Sequence, residues 1–132
     1  MTLLGLLSGF TPAIVRAPTA ALEAHTIGLL QGAMMFGLAA IWPALGPARV
    51  VVKAARICAL VGFYANWFGA QLAAFWSARA MMLVTGGSMP AGAARWMEAV
   101  VAVLLNLSIL IVVMCVLILV AARQTPQSVQ AR

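Results

Sequence analysis

The stretch Glu23–Trp42, which reads EAHTIGLLQGAMMFGLAAIW, decides the fold. Its only ionisable side chains are Glu23 at the start and His25, the single histidine of the chain. An apolar run of about 20 residues is long enough to cross a bilayer as a helix. Gly28 and Gly32 fall on the helical face of His25, and small residues let a second helix or a flat ligand approach closely. The stretch therefore predicts a membrane helix with a candidate binding site near its start.

The composition of the whole chain supports a lipid-embedded protein. Of its 132 residues 65% are hydrophobic and 8% are charged, and the mean hydropathy is +1.09. A soluble domain has roughly 25% charged residues, so this chain has too little polar surface to face water on all sides. The net charge of +6 is spread over loops and the C-terminal tail, which is typical of membrane topology. We expect the lipid bilayer as the surroundings and no nucleic-acid partner.

Four apolar segments predict an all-α, integral membrane four-helix bundle that forms a single domain over residues 1–122. The predicted spans cover about residues 2–15, 23–45, 51–83 and 95–122, and a polar tail follows at 123–132. Thr19 and Glu23 lie near the start of the second helix, where a cap and a negative charge suit the helix dipole. The first segment is short, and two interpretations stay open: it thins the bilayer, or the native chain begins upstream of Met1.

The distribution of basic residues predicts the orientation of the bundle. Five basic residues without acidic neighbours lie in the second loop, at the start of the third helix and in the tail. They are Arg49, Lys53, Arg56, Arg123 and Arg132. The first and third loops carry three arginines diluted by two glutamates. Because loops rich in lysine and arginine stay in the cytoplasm, both termini are predicted to be cytoplasmic. Four spans give the same answer by parity, in a multi-pass protein of the cell inner membrane.

The inventory of reactive side chains is small, and it limits the chemistry. The chain has one histidine, two glutamates, one tyrosine and no aspartate, so neither a Ser-His-acid triad nor a pair of catalytic carboxylates in one span is available. Two interpretations of His25 remain open. It binds haem iron as an axial ligand, which leaves the opposite position for a substrate, or it caps the helix at the headgroup level and binds nothing.

Three uncharged polar residues inside the predicted spans have a similar double interpretation. Gln31 lies in the second span, and Tyr64 and Asn66 lie in the third. A buried amide in lipid needs a hydrogen-bonding partner, which a neighbouring helix or a substrate can supply. These residues are therefore either interhelical contacts or the polar groups that orient a small substrate.

Three stretches carry a resemblance to a known family. The sequence AHTIGLLQGAMMFGLAAIWPALG at residues 24–46 resembles the second helix of the hydroxylaminobenzene mutase and styrene oxide isomerase family. GFYANWFGAQLAAFW at 62–76 resembles its third helix, with YANW closer to the mutase branch, and LLGLLSGF at 3–10 resembles its first helix. The resemblance extends from Leu3 to about Leu83.

The resemblance implies a trimeric four-helix membrane isomerase that binds haem b through the histidine matching His25. The asparagines that assist catalysis in the family match Gln31 and Asn66, so the first position keeps an amide on a longer side chain. The family's substrate-facing tyrosine falls on Ala70, which leaves Tyr64 as the only tyrosine available for such a role. Haem propionates would pair with arginines of the first and third loops, namely Arg16, Arg79 or Arg95.

We therefore predict a membrane isomerase that rearranges a small aromatic hydroxylamine to an aminophenol, with haem iron at His25 as the Lewis acid. Gln31, Asn66 and Tyr64 are the predicted catalytic residues. Conversion of an aryl epoxide to an aldehyde is the alternative within the family. Two other classes stay open, a membrane haem electron carrier with both axial positions filled and a non-catalytic assembly subunit.

Overall fold

The computed structural model describes residues 1–45, 50–82, 87 and 92–124, and for residues 122–124 it describes the backbone alone. The described chain is all-helical, which confirms the predicted fold class. Helix α1 spans Thr2–Leu7 and continues as a 3-10 helix over Ser8–Ala13. Helix α2 spans Pro18–Ile41 with a 3-10 turn at Trp42–Leu45, α3 spans Val50–Trp76, and α4 spans Arg95–Gln124.

Three helices among the described residues are long and apolar enough to cross a membrane. They cover Pro18–Leu45, Val50–Trp76 and Arg95–Ala121, whereas the helical segment Thr2–Ala13 is apolar but shorter. The first segment was expected to be short for a span, and its α-helical part ends at Leu7, where the 3-10 helix that contains Pro12 begins. Since parity depends on that segment, the cytoplasmic location of both termini stays a prediction.

Helix α2 begins earlier than the sequence predicted. Ala17 occupies the N-cap position without a side-chain cap, and Pro18 is the first helical residue. Proline suits this position because its fixed φ is helical and its missing N–H has no partner to lose. Thr19 is therefore not the cap, and Glu23 lies in the second turn of α2 and not in the first turn, where the charge was expected to act.

Helix α3 also ends earlier than expected, at Trp76 rather than at about residue 83. Ser77 adopts a left-handed conformation with φ of 55°, and the Ala78 N–H donates to the Ala73 carbonyl at 3.0 Å. This is the hydrogen bond of a Schellman cap. The Glu98 carboxylate of α4 accepts hydrogen bonds from the backbone N–H groups of Arg79 and Ala80 at 2.9 and 3.0 Å. The cap and this acid hold the end of α3 against the start of α4.

The four helices form an antiparallel arrangement with small residues at their contacts. Gly5 of α1 lies against Gly28 of α2, and Gly62 and Gly69 of α3 face the α4 residues around Ser108 and Leu105. Two buried clusters hold the bundle at its ends; their members are mostly alanine and small aliphatic residues, with Phe63 and Met82 among the larger ones. Small side chains let helix backbones approach closely in lipid, where dispersion contacts drive packing. Large apolar residues are left on the outer surface, as in a bundle solvated by lipid.

Candidate functional site

His25 lies inside α2 and is fixed by the first helix. Its Nδ1 atom donates a hydrogen bond to the Gly5 carbonyl at 2.7 Å, since a carbonyl oxygen can only accept. In the neutral imidazole the lone pair is then on Nε2, which is the arrangement found in metal-binding histidines that donate their other ring N–H to a carbonyl. Because α2 begins at Pro18, His25 is about two turns inside the helix. His25 is therefore not the N-cap residue of α2, a position that Ala17 occupies, and its role as a haem ligand stays a prediction.

Glycines make room for this contact. A Cβ atom built on Gly9 would lie 3.1 Å from His25 Cε1, and one on Gly5 would lie 2.7 Å from the Gly28 carbonyl carbon. Further along, a Cβ on Gly32 would overlap the Thr2 side chain. The predicted glycine face of α2 therefore receives α1, and the imidazole ring lies at one end of that close contact.

A groove on the other side of α2 collects the polar residues of the membrane interior. It lies between α2, α3 and α4 and has a volume of about 270 Å³. Gln31, Asn66 and Ser108 are its polar residues, and apolar side chains supply the remainder of the lining, namely Ile27, Leu30, Met34, Phe63, Ile109, Val112 and Val113. An apolar cleft with a few converging polar groups is the usual form of a small-molecule site.

Asn66 and Ser108 are joined across the α3–α4 interface. The Ser108 hydroxyl lies 3.2 Å from Asn66 Oδ1 and 2.8 Å from the Leu105 carbonyl oxygen. Ser108 is completely buried and Asn66 is half-buried. The contact restricts the rotation of the Asn66 amide at the groove wall. The interhelical partner predicted for Asn66 is therefore present, and it is part of the same groove.

Gln31 has a different environment. Its side chain is 7% exposed, and its Oε1 atom is buried without a hydrogen-bonding partner among the described residues. A buried amide oxygen without a partner costs about 1–3 kcal/mol relative to a satisfied one. Trp67 Nε1 is likewise buried without a partner, and its ring lies 2.9 Å from where a Cβ on Gly28 would be. Gln31 thus brings an unsatisfied acceptor to the wall of the groove.

The structure divides the four predicted site residues into two pairs. Gln31 and Asn66 line the groove together. His25 and Tyr64 both contact the first helical segment instead, His25 through Gly5 and Tyr64 through a 3.3 Å hydrogen bond that its Oη accepts from the Met1 amino group. Tyr64 is 39% exposed and does not line the groove. Within one chain the imidazole and the two amides therefore face different sides of α2.

Sequence reasoning missed two residues of this region. Ser108 was visible as one of the few polar residues in the fourth segment, but nothing in the sequence pairs it with Asn66, 42 positions earlier. Trp67 directly follows Asn66, yet a tryptophan in a membrane helix is usually an interfacial anchor. Ala70, which the resemblance matches to the family's substrate-facing tyrosine, is completely buried and presents no polar group.

Fold and groove together define a class of protein: a small helical membrane protein with a mostly apolar groove that carries a few hydrogen-bonding groups. No group of three or more His, Cys, Asp or Glu side chains gathers around a metal site among the described residues, but a haem needs only one protein ligand. The sequence pattern of the styrene oxide isomerase family matches residues 1–123, and the chain belongs to that family. The protein is accordingly an isomerase.

Two relatives point to the branch within the family. The chain is 37% identical over 126 residues to the hydroxylaminobenzene mutase HabB of Ectopseudomonas oleovorans, covering 94% of this chain and 76% of that relative. It is 32% identical over 80 residues to the hydroxylaminobenzene mutase HabA of the same organism, covering 61% and 59% of the two chains. No solved structure matches the chain significantly. The predicted family is therefore confirmed, and its isomerase activity excludes the electron carrier and the assembly subunit as primary functions.

Proposed function

We propose that the protein rearranges a small aromatic hydroxylamine to an aminophenol in the cell inner membrane, as a step in the breakdown of aromatic compounds. In this isomerisation the N–O bond breaks and a C–O bond forms at the ring. A ring carbon loses a proton and the nitrogen gains one, so no oxidant, reductant or net water is needed. A site with few acids and bases suits such a reaction, because the atoms of the product are all present in the substrate.

The buried Oε1 of Gln31, which has no hydrogen-bonding partner in the described part of the chain, is the observation that favours this substrate. An acceptor without a partner at a groove wall is satisfied by a ligand that donates a hydrogen bond. An aromatic hydroxylamine has two donors, its N–H and its O–H, whereas an aryl epoxide has none. The identity to two mutases supports the same choice.

The dimensions and lining of the groove support a one-ring substrate. An apolar cavity of about 150 Å³ is enough to bind benzene, so a groove of about 270 Å³ has room for a ring with one polar substituent. Phe63 and the aliphatic residues around it exclude water, which protects a reactive intermediate from hydrolysis. Asn66, held by Ser108, positions the polar substituent of the substrate. The Oε1 atom of Gln31 accepts a hydrogen bond from the same substituent. Tyr64 receives no role in this proposal.

Haem b on His25 is the proposed source of the electrophile. The residues fit such a group: Nδ1 is occupied by the Gly5 carbonyl, Nε2 is left with its lone pair, the ring is half-buried, and Gly9 beside it has no Cβ to fill the space. Bound ferric haem would supply a Lewis acid that polarises the substrate oxygen. The chain's own contribution is to hold the imidazole in one tautomer and one orientation.

A homotrimer completes the proposal, because His25 and the groove face different sides of α2. His25 lies beside α1, and Ile27, Leu30 and Met34 line the groove on the opposite side of the same helix. We propose that the His25 side of one protomer meets the groove of the next around a threefold axis. A cyclic assembly repeats this heterologous contact three times and leaves no unmatched surface.

The decisive experiment compares the detergent-purified, haem-supplied parent with its His25→Ala variant by absorbance and by turnover. We expect a Soret band and hydroxylaminobenzene rearrangement in the parent, and loss of both in the variant. A folded, haem-supplied parent without a Soret band would refute the haem mechanism. Turnover of styrene oxide in place of hydroxylaminobenzene would favour the second candidate, an aryl epoxide isomerase, which the description of the matched family supports.

A further inference from the structure

A second groove lies at the end of the bundle where α2 finishes and α3 begins. Its volume is about 380 Å³, and it shares no lining residue with the groove of Gln31 and Asn66. Its walls are apolar, formed by Met35, Leu38, Ala39, Trp42, Pro43, Ala59 and Leu60. Arg56 is its only charged lining residue. The established isomerase activity gives this groove no role.

The depth of Arg56 places its charge at the edge of the hydrocarbon. Helix α3 has 27 residues and is therefore about 40 Å long, whereas the hydrocarbon core of a bilayer is about 30 Å thick. With the helix centred in the bilayer, roughly 5 Å at each end lies among the headgroups. Arg56 is about 9 Å from the helix start at Val50, so its long side chain reaches the headgroup level by extending along the groove. Lys53, three residues earlier on the same face, is also exposed.

The protein supplies no side-chain carboxylate to neutralise these two cations. The chain has two acidic residues, Glu23 and Glu98. Glu23 is in the second turn of α2, about 28 Å along the helix from Trp42. Glu98 contacts the backbone at Arg79 and Ala80, beyond the far end of α3. Cations at the membrane edge are stabilised by a partner of opposite charge, which no side chain of this protein supplies and a lipid headgroup can supply.

We propose that this groove binds an anionic phospholipid. One acyl chain lies along Met35, Leu38 and Ala39, and the phosphate pairs with Arg56 and Lys53 at the rim. Trp42 lines the same groove, and tryptophan is enriched at the headgroup level of membranes. Apolar walls below a pair of unneutralised cations match a lipid with a negative headgroup better than a zwitterionic one. This inference is independent of haem and of the substrate.

Native mass spectrometry of the full-length protein, with phosphatidylglycerol and phosphatidylcholine of identical acyl chains, tests the proposal. In the parent we expect phosphatidylglycerol adducts to exceed phosphatidylcholine adducts about fivefold for each cation engaged. Arg56→Gln is expected to reduce the preference for phosphatidylglycerol about fivefold. Lys53→Gln is expected to reduce the same preference independently. Arg95→Gln is the matched control, because it removes the same charge from an exposed residue at the other end of the bundle.

Ala39→Phe tests the groove itself without changing any charge. Ala39 is exposed on the groove wall, so a phenyl ring there fills the space of the acyl chain, and adducts of both lipids should fall together. Equal binding of the two lipids by the parent would overturn the proposal. An equal loss of preference in Arg95→Gln and Arg56→Gln would do the same, since it would indicate general surface charge. The proposal would also be overturned if the substitutions in this groove changed the mass of the oligomer but not the lipid adducts. A second copy of the chain would then occupy the groove.

Discussion

The Nδ1 atom of His25 lies 2.7 Å from the carbonyl oxygen of Gly5, so the short first helix sets the tautomer of the only histidine in the chain. Backbone carbonyls orient metal-binding histidines in this way in many proteins. Here the carbonyl reaches the ring because Gly5 lies directly on Gly28. The first helix is too short to match the other three as a span, but it determines which imidazole nitrogen is available.

Gly5→Ala should separate α1 from α2. The new methyl group would be 2.7 Å from the Gly28 carbonyl carbon and 2.8 Å from the Leu29 nitrogen, and neither backbone atom can move aside cheaply. We expect destabilisation of about 1–3 kcal/mol in thermal unfolding in detergent, together with a weaker or shifted Soret band. Gly37→Ala is the control, since nothing lies within 4 Å of its added Cβ, and helix propensity predicts a neutral or slightly stabilising effect. Similar unfolding temperatures for the two variants would contradict the proposed docking of α1.

Gln31→Leu should make the protein more stable and less active. The substitution removes a buried oxygen that has no partner among the described residues, which favours folding by about 1 kcal/mol. It also removes the proposed acceptor for the substrate, so KM should rise or kcat fall by about tenfold. Gln71→Leu is a matched control, because both polar atoms of Gln71 are buried with no partner within the described ranges, but the residue does not line the groove. If the two leucine variants had equal activity, Gln31 would be a structural residue and not part of the site.

Ser108→Ala should loosen the Asn66 amide. Without the hydroxyl 3.2 Å away, the amide keeps its place in the groove wall but loses the contact that orients it. We expect a loss in kcat/KM equivalent to roughly 1 kcal/mol, about fivefold, measured in steady-state assays. Asn106→Ala removes a polar group from the exposed face of the same helix, where it donates to its own Ala102 carbonyl, and should leave activity unchanged. An activity loss that is just as large in Asn106→Ala would assign the effect to α4 in general.

A mixture of two inactive chains should regain activity if each site is shared between protomers. His25→Ala and Asn66→Ala chains, carrying different tags, are co-expressed and the mixed oligomers purified through both tags. In a ring of three, any mixed assembly has one junction at which an intact His25 meets an intact groove, so about a third of parental activity is expected. The control is the unsubstituted chain carrying each tag, which should be active. If the mixed oligomers were completely inactive while these controls were active, His25 and Asn66 of one site would belong to the same chain.

The sequence was enough to predict the class of fold and the candidate residues. Apolar runs of spanning length bounded by glycine, proline and charge determine helices in lipid, because every backbone polar group must be bonded within its own segment. The rarity of polar residues in those runs made His25, Gln31 and Asn66 identifiable one by one, and the resemblance to the family gave them roles. Helix ends were predicted less well, since Pro18 and the left-handed Ser77 act through local backbone geometry that hydropathy does not report.

Only the tertiary structure decided which of these residues meet. A helix presents its side chains around a full turn, so residues of one segment can face different neighbours, and the partner of each face depends on how the helices pack. Packing put His25 against Gly5, and it joined Asn66 to Ser108 in the groove that Gln31 also lines. The same packing left Arg56 in a separate groove, remote from both glutamates. The sequence determined the elements and the chemical groups, and the close contacts between small residues determined the sites.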